Sequence, residues 1–328
     1  MTKANRLSNP GRYCPLHYRY APPVFARPAQ LHADTLLIAG GLYGNLAALD
    51  VIGRLMEPET TLVLNGDFNW FNISPAGFSS VNTQAMQHVA LRGNVETELR
   101  SGYAATDAGC GCAYPDNVDD AQVEHSNAIM SRLREVASQF PQLADQLGAL
   151  PMHLVAEVGD LRIAIVHGDA HSLAGWEFNH TALHSAHNEQ MLTNLFTQAK
   201  VDVFASSHTC LPALRKLKNA DRSFAVINNG AAGMPNFAGT HFGVATRISI
   251  RPCPPTVRLY GTRIGTVFVD AVKLHYDHIQ FVDQFLADWP GGSPGHESYH
   301  SRIVDGPAFS PEMALGLLPE QPARRRAR

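Results

Sequence analysis

Between residues 35 and 67 the chain runs through an apolar strand, a glycine-rich loop, a helix and a second apolar strand. Thr35-Leu36-Leu37-Ile38-Ala39 reads as the first strand, closed by Gly40-Gly41-Leu42-Tyr43-Gly44. Asn45 is placed to cap a helix from Leu46 to Met56, in which Leu46, Leu49, Ile52 and Leu55 recur at helical spacing. Leu62-Val63-Leu64 forms the second strand and stops abruptly at Asn65-Gly66-Asp67. Such a βαβ unit implies parallel pairing, which brings the carboxyl ends of both strands to one rim of the sheet. Ligands of open α/β sheets bind at that rim. Gly66 lets the backbone turn there, and Asp67 presents a carboxylate on rigid backbone, well placed for a metal ion. Taken alone, Gly-Asp is equally a common turn.

Further strands follow the same order. Residues 70 to 80 read as a loop, Val81 to Val89 as a helix, and Ala90-Leu91-Arg92 as a short strand ending in Gly93-Asn94. Helical stretches from Ala121 to Gln139 and Gln142 to Leu147 make 97–150 look like an inserted or cap segment. Met152 to Glu157 and Leu161 to Val166 flank Gly159-Asp160 as a hairpin, and the second of these strands ends in His167-Gly168-Asp169. Asn188 to Ala199 reads as a helix, and Val201 to Ala205 as a strand running into Ser207-His208-Thr209-Cys210. Ser223 to Ile227 is another strand. Ala245 to Ile250 and Thr266 to Leu274 alternate more and suggest an antiparallel edge or a second sheet. Phe281 to Trp289 reads as a closing helix. The expected organisation is an irregular arm over 1–33, one domain over 34–290 and a flexible tail over 291–328, rich in Pro, Gly and Arg.

Composition excludes more than it selects. The 328 residues are 45% hydrophobic and 17% charged with a net charge of −3, enough for a large core and no basis for strong attraction to nucleic acid or a membrane surface. No apolar run approaches the roughly 18 residues that span a bilayer, and residues 1–20 lack the core of a signal peptide. Five cysteines, few and odd in number, suggest reduced thiols and a cytoplasmic protein.

Asp67, Asn94, His167 and His208 each end a strand. On strands of one sheet these four ends would converge at the same rim, where oxygen and imidazole groups suit Mn, Fe or Zn. The ordered set Gly41-Leu42-Tyr43-Gly44-Asn45, Gly66-Asp67, Gly93-Asn94-Val95-Glu96, His167-Gly168-Asp169 and Ser207-His208-Thr209-Cys210 resembles the calcineurin-like metallophosphoesterase superfamily over roughly 35–275. The resemblance implies an α/β fold in which a two-sheet β-sandwich is flanked by helices, in four layers α/β/β/α. It also implies a two-metal centre, whose positions here divide sharply. The ligands of one metal fall on Asp67, Asn94, His167 and His208, all intact. Those of the other fall on Gly41, Tyr43, Asp67 and Cys210, where only the shared carboxylate matches. The family's third-motif histidine, which serves the leaving group, is Val95.

The resemblance therefore implies one divalent or trivalent transition metal, Mn, Fe or Zn, with the second site lost. Asp67, Asn94, His167 and His208 are the candidate metal and catalytic residues. Tyr43, Asn45, Asn69, His171 and Cys210 are candidate pocket residues, with Trp176 nearby and Glu96 orienting a neighbour. Cys110-Gly111-Cys112 lacks the partners of a zinc site, and His180, His184 and His187 read as ordinary surface or core histidines. The first reading is a divergent phosphoesterase acting on a small phosphate ester or nucleotide. A second is a catalytically silent module binding a phosphorylated ligand or partner. A third is a thiol-dependent hydrolase using Cys210 and His208. The partner is a small phosphorylated molecule, without nucleic acid or membrane, and a homo-oligomer is left open.

Overall fold

The computed structural model describes residues 9–100, 108–219 and 222–318. Strands β2 (Thr35–Ala39), β3 (Thr60–Asn65) and β4 (Val89–Leu91) pair in parallel, linked by α1 (Leu46–Leu55) and α2 (Pro75–Ala85). β10 (Gly243–Ser249), β12 (Val267–Leu274) and β11 (Arg258–Ile264) extend this sheet antiparallel, giving the order β11-β12-β10-β2-β3-β4. The second sheet runs β1-β5-β6-β7-β9-β8. In it β6 (Leu161–Val166), β7 (Val203–Ser206) and β9 (Arg222–Asn228) are parallel. β5 (His153–Val158) and β8 (Ala213–Asn219) pair antiparallel, and the two-residue β1 (Leu31–His32) lies parallel to β5.

Side-chain alternation builds the layers. Leu36, Ile38, Ile163, Ile165, Val203 and Ala205 point between the sheets into one core. Leu37, Ala39 and Leu64 point the other way, under α1, α2, α4 (Asp120–Ala137), α8 (His278–Asp288) and α9 (Pro294–Asp305). Ala164, Val166 and Phe204 face outward on the second sheet, under α7 (Glu189–Ala199). The result is the four-layer α/β/β/α sandwich.

Three boundaries differ from the sequence reading. Residues 70–80 are not a loop throughout: α2 begins at Pro75, with Ser74 capping it through an N–H from Gly77, and it ends at Ala85, leaving Val89 to start β4. A short helix, α3 (Asn94–Leu99), follows Gly93, and α5 (Pro141–Ala149) and α6 (His180–His184) complete the order to that point. The sequence reading gives an irregular arm over 1–33, and its residues Leu31 and His32 join the second sheet as β1. Within 291–318, read as a flexible tail, α9 and α10 (Pro311–Ala314) are formed, and Ser293 and Ser310 cap them before a proline. Residues 1–8, 101–107 and 319–328, with the arginine run at the end, lie outside the described residues. Among those described, no helix is long and apolar enough to cross a membrane.

Candidate metal centre

β3 ends at Asn65, and the next two residues turn in the left-handed region, Gly66 at φ 79° and Asp67 at φ 57°. A Cβ on Gly66 would stand 2.5 Å from the Gly93 nitrogen and 2.7 Å from His167 Nδ1, so only glycine fits. The buried Glu96 carboxylate fastens this turn to the end of β4. It accepts N–H groups of Asp67 and Phe68, both at 2.8 Å, and of Gly93 at 2.9 Å. Burial, reinforced by the charge of Asp67, pushes the Glu96 carboxyl up to about 7. Its role is the orienting one read from the sequence.

His167 is the first residue after β6, and His208 the second after β7. Each ring has one nitrogen occupied by a carbonyl: His167 Nδ1 donates to Asn65 at 2.8 Å, and His208 Nε2 donates to Cys112 at 3.1 Å. In the neutral rings the other nitrogens, His167 Nε2 and His208 Nδ1, carry lone pairs, and they lie 3.2 Å apart. Asn94 donates its Nδ2 to the Cys110 carbonyl at 2.9 Å, which leaves Oδ1 at 3.2 Å from His167 Nε2. Asp67 Oδ1 is 3.4 Å from the same nitrogen and accepts the Val95 N–H at 3.3 Å. Four acceptor atoms thus meet, on side chains that are all buried.

Such a set repels itself unless a metal ion or a proton lies within it. The titrations express this. Burial disfavours a charged His167, but the Asp67 carboxylate outweighs it and holds the imidazole above its ordinary value. Burial likewise opposes the charge on Asp67, and His167 and His208 keep its carboxyl low. His208, buried beside His167, is pushed down to about 4. Oxygen and imidazole donors with their outer nitrogens fixed to carbonyls match a site for Mn, Fe or Zn.

On the neighbouring loops the arrangement differs. Tyr43 (φ 55°) and Cys210 (φ 61°) share the left-handed region with Asp67, a concentration of backbone strain at one place. The Tyr43 ring covers Gly41: a Cβ there would meet its Cζ and Oη at 2.9 Å. The Tyr43 hydroxyl meets Cys210 Sγ at 2.9 Å, and burial raises the phenol and the thiol alike, so both are neutral.

These groups border a cavity of about 40 Å³ walled by Tyr43, Trp70, Tyr114, Trp176 and Tyr299, with Cys112 and Cys210. Of the expected pocket residues, Tyr43 and Cys210 line it, as does Trp176. Asn45, Asn69 and His171 do not. Asn45 caps α1 and donates to the Gly233 carbonyl. Asn69 is bound to Asn72 and Asn82. His171 pairs with Glu177, half exposed. His184 donates to the Ala314 carbonyl and His180 packs on Phe309, both in a separate region of contacts. Sequence reasoning missed Cys112, Tyr114, Trp70 and Tyr299. Cys112 and Tyr114 come from the 97–150 segment and Tyr299 from α9, and no local pattern announces that either returns to the rim.

Overlaid on solved structures, the chain matches the crystal structure of a metallophosphoesterase from Sphaerobacter thermophilus at a TM-score of 0.53 and 15% identity, over 84% of this chain and 100% of the other. The fold is that of the metallophosphoesterases. A hypothetical protein from Pyrococcus horikoshii matches at the same TM-score, with 13% identity over 84% and 99% of the two chains. No protein-family model and no curated protein matches the sequence. The likeness in backbone and the resemblance in motif order agree on the two-sheet metallophosphoesterase scaffold.

Proposed function

We propose that this chain is a metal-dependent phosphoesterase that hydrolyses a small phosphate ester or nucleotide with one transition-metal ion. The observation that carries the reading is the meeting of four buried acceptor atoms from Asp67, Asn94, His167 and His208 with no donor among them in the neutral rings. These four residues would hold the ion. A metal there supplies Lewis acidity toward a phosphoryl oxygen and toward water. The chain supplies the rest. Glu96 and the Val95 N–H fix Asp67, the carbonyls of Asn65 and Cys112 fix the imidazole faces, and the aromatic walls limit water around the reacting group.

Against a second metal stands the neutral Tyr43–Cys210 pair, which fills the space over Gly41. The same pair, with the buried Val95 in place of an imidazole, favours the alternative of a silent module that binds a phosphorylated ligand. The thiol-hydrolase reading fits less well, because burial raises the Cys210 thiol and starves it of thiolate.

Metal analysis of protein purified without chelator, with Asp67→Ala and His208→Ala beside it, tests the reading. About one ion per chain, lost in both variants, together with manganese-dependent hydrolysis of p-nitrophenyl phosphate or its bis ester that Asp67→Asn abolishes, is the expected result. Bound metal without turnover selects the silent module. A chain that takes up no Mn, Fe or Zn refutes the assignment.

A further inference from the structure

The cavity beside the metal centre is small for the ester it would admit. Its volume of about 40 Å³ holds roughly three water positions, whereas pockets for small molecules run to roughly 300–1,000 Å³. A phosphoryl group fills it, and the group esterified to that phosphoryl needs a wall to give way. Most walls are fastened to the sandwich. Tyr43 donates its backbone N–H to the Asp67 carbonyl at 3.1 Å, the Tyr114 hydroxyl meets Ser126 Oγ at 3.0 Å, and the Trp176 indole donates to the Cys112 carbonyl at 2.9 Å.

Tyr299 is the exception. It is carried by α9, of whose 12 residues Gly295, Tyr299 and Ile303 alone are buried. The helix lies between two anchors: Trp289, whose indole is fixed to the Phe71 carbonyl, and Phe309, which is sunk between the sheets. Each connection carries a glycine joint. Gly291 and Gly292 have open space where a Cβ would stand, and Gly292 and Gly306 turn at φ 81° and 73°. Near Gly306 the end of the helix is held by backbone, with Gly239 N–H on the Asp305 carbonyl at 2.7 Å and His241 Nε2 on the Val304 carbonyl at 3.0 Å. The rest is held by side chains. Arg302 donates to the Cys210 carbonyl, the Trp70 indole N–H donates to the Tyr299 hydroxyl, and Ser298 Oγ meets His125 Nδ1 at 3.1 Å. This seat is imperfect: Arg302 Nε and the Tyr276 hydroxyl, which feels the Arg302 charge, are buried without hydrogen-bond partners, a cost that release to water removes.

We propose that α9 is a tethered lid over the metal centre. It pivots at Gly306, gives at Gly291–Gly292 and lifts Tyr299 out of the cavity, and Arg302 on the Cys210 carbonyl latches it shut. As the gate of a hydrolytic site it rests on the phosphoesterase reading above, but its motion is measured without turnover.

Cys112 lines the cavity and is buried, so its alkylation by iodoacetamide reports opening in the full chain. Arg302→Gln removes the charged donor. It is expected to speed Cys112 labelling by at least about tenfold, with amide hydrogen exchange faster in α9 and unchanged in β2 and β3. Gly291→Ala stiffens the free joint without a clash and should slow Cys112 labelling by roughly two- to fivefold. It carries the test should Arg302→Gln loosen the sheet as well. Wild-type labelling rates in the folded variants overturn the lid and leave the phosphoesterase reading standing. Wild-type Cys112 labelling no faster than global opening of β2 and β3 also overturns it, because the cavity then opens only with the fold. The expected labelling in a chain that takes up no Mn, Fe or Zn keeps the moving helix and overturns the phosphoesterase reading.

Discussion

Gly93→Ala separates the site from the fold. Gly93 sits at φ −95° and ψ −168°, extended backbone that alanine adopts without strain. Its added methyl would nevertheless lie 2.3 Å from Asp67 Oδ1, 2.8 Å from His167 Cε1 and 2.9 Å from His167 Nε2. Ordinary contact begins near 3.4 Å, so the Asp67 carboxylate must retreat by about 1 Å and the imidazole by about half that. A functional constellation tolerates displacements of about 0.5 Å. Overpacking costs roughly 1–3 kcal/mol, while losing a glycine from the unfolded chain returns roughly 0.4–1 kcal/mol. The expected net loss is about 1–2 kcal/mol, a fraction of the stability of an ordinary domain. Metal affinity should fall by at least about 100-fold, beyond what the loss of an outer-shell partner costs. Gly53→Ala is the control: it lies inside α1 with open space around its Cβ, and should raise stability by roughly 0.5–1 kcal/mol without touching metal binding. Chemical unfolding and metal titration of the three proteins check both numbers. A folded Gly93→Ala protein that binds metal with wild-type affinity would refute the placement of the site.

Two further expectations concern pH. His167 is held above its ordinary value, so without metal its protonated form contributes stability that is full below pH 6.5 and lost as pH rises through the folded value. A metal ion must displace that proton. Apparent affinity should therefore rise with pH and level off once His167 is neutral, and calorimetry in two buffers of different ionisation enthalpy should give different heats, with equal heats counting against it. His208 works the other way: pushed down to about 4, it favours the neutral ring, and roughly 3 kcal/mol is lost as pH falls from 6.5 through that value. The acid limb of the unfolding profile should flatten in His208→Gln, and an unchanged limb would place the acid sensitivity elsewhere, with His153, also pushed down to about 4, the next group to examine.

What the sequence revealed were the features that repeat with a period or stop at a glycine. The continuous apolar run from Leu36 to Ala39 and the helix between β2 and β3 imply a buried strand in parallel pairing, so the rim bearing Asp67 is legible in the sequence, whereas the division of these side chains between two cores is not. α2, α9 and α10 were misplaced for a common reason. Each begins with serine followed by proline: Ser74-Pro75, Ser293-Pro294 and Ser310-Pro311. Read as loop punctuation, these pairs are in fact caps, the serine accepting an N–H from Gly77, His296 or Met313 and the proline occupying the first turn where no donor is required. The pocket walls were less legible. Tyr299 reaches the cavity because α9 packs on α4, and Trp289 anchors the preceding segment by donating its N–H to the Phe71 carbonyl at 2.9 Å. Those are tertiary facts without a local signature.

The division of the site follows from where its parts are attached. The four residues do not share one sheet, as the sequence reading expects: Asp67 and Asn94 leave the ends of β3 and β4, while His167 and His208 leave the ends of β6 and β7 in the other sheet, so an ion held by all four would join one sheet to the other. The rims are already fastened there, since Asn65 donates to the Val166 carbonyl at 2.7 Å and accepts from Ser207 Oγ at 3.0 Å. Ligand groups on such a frame cannot relax apart when they repel, so their mutual repulsion is built in before any ion arrives and becomes differential affinity when one does. Tyr43 and Cys210 show the opposite solution. With Gly41 offering no side chain, the phenol folds over it and meets a thiol, two neutral groups that satisfy each other and demand no cation. One half of the rim is thus self-sufficient and the other is not, and that asymmetry, rather than the count of matching motifs, is the physical argument for a single metal.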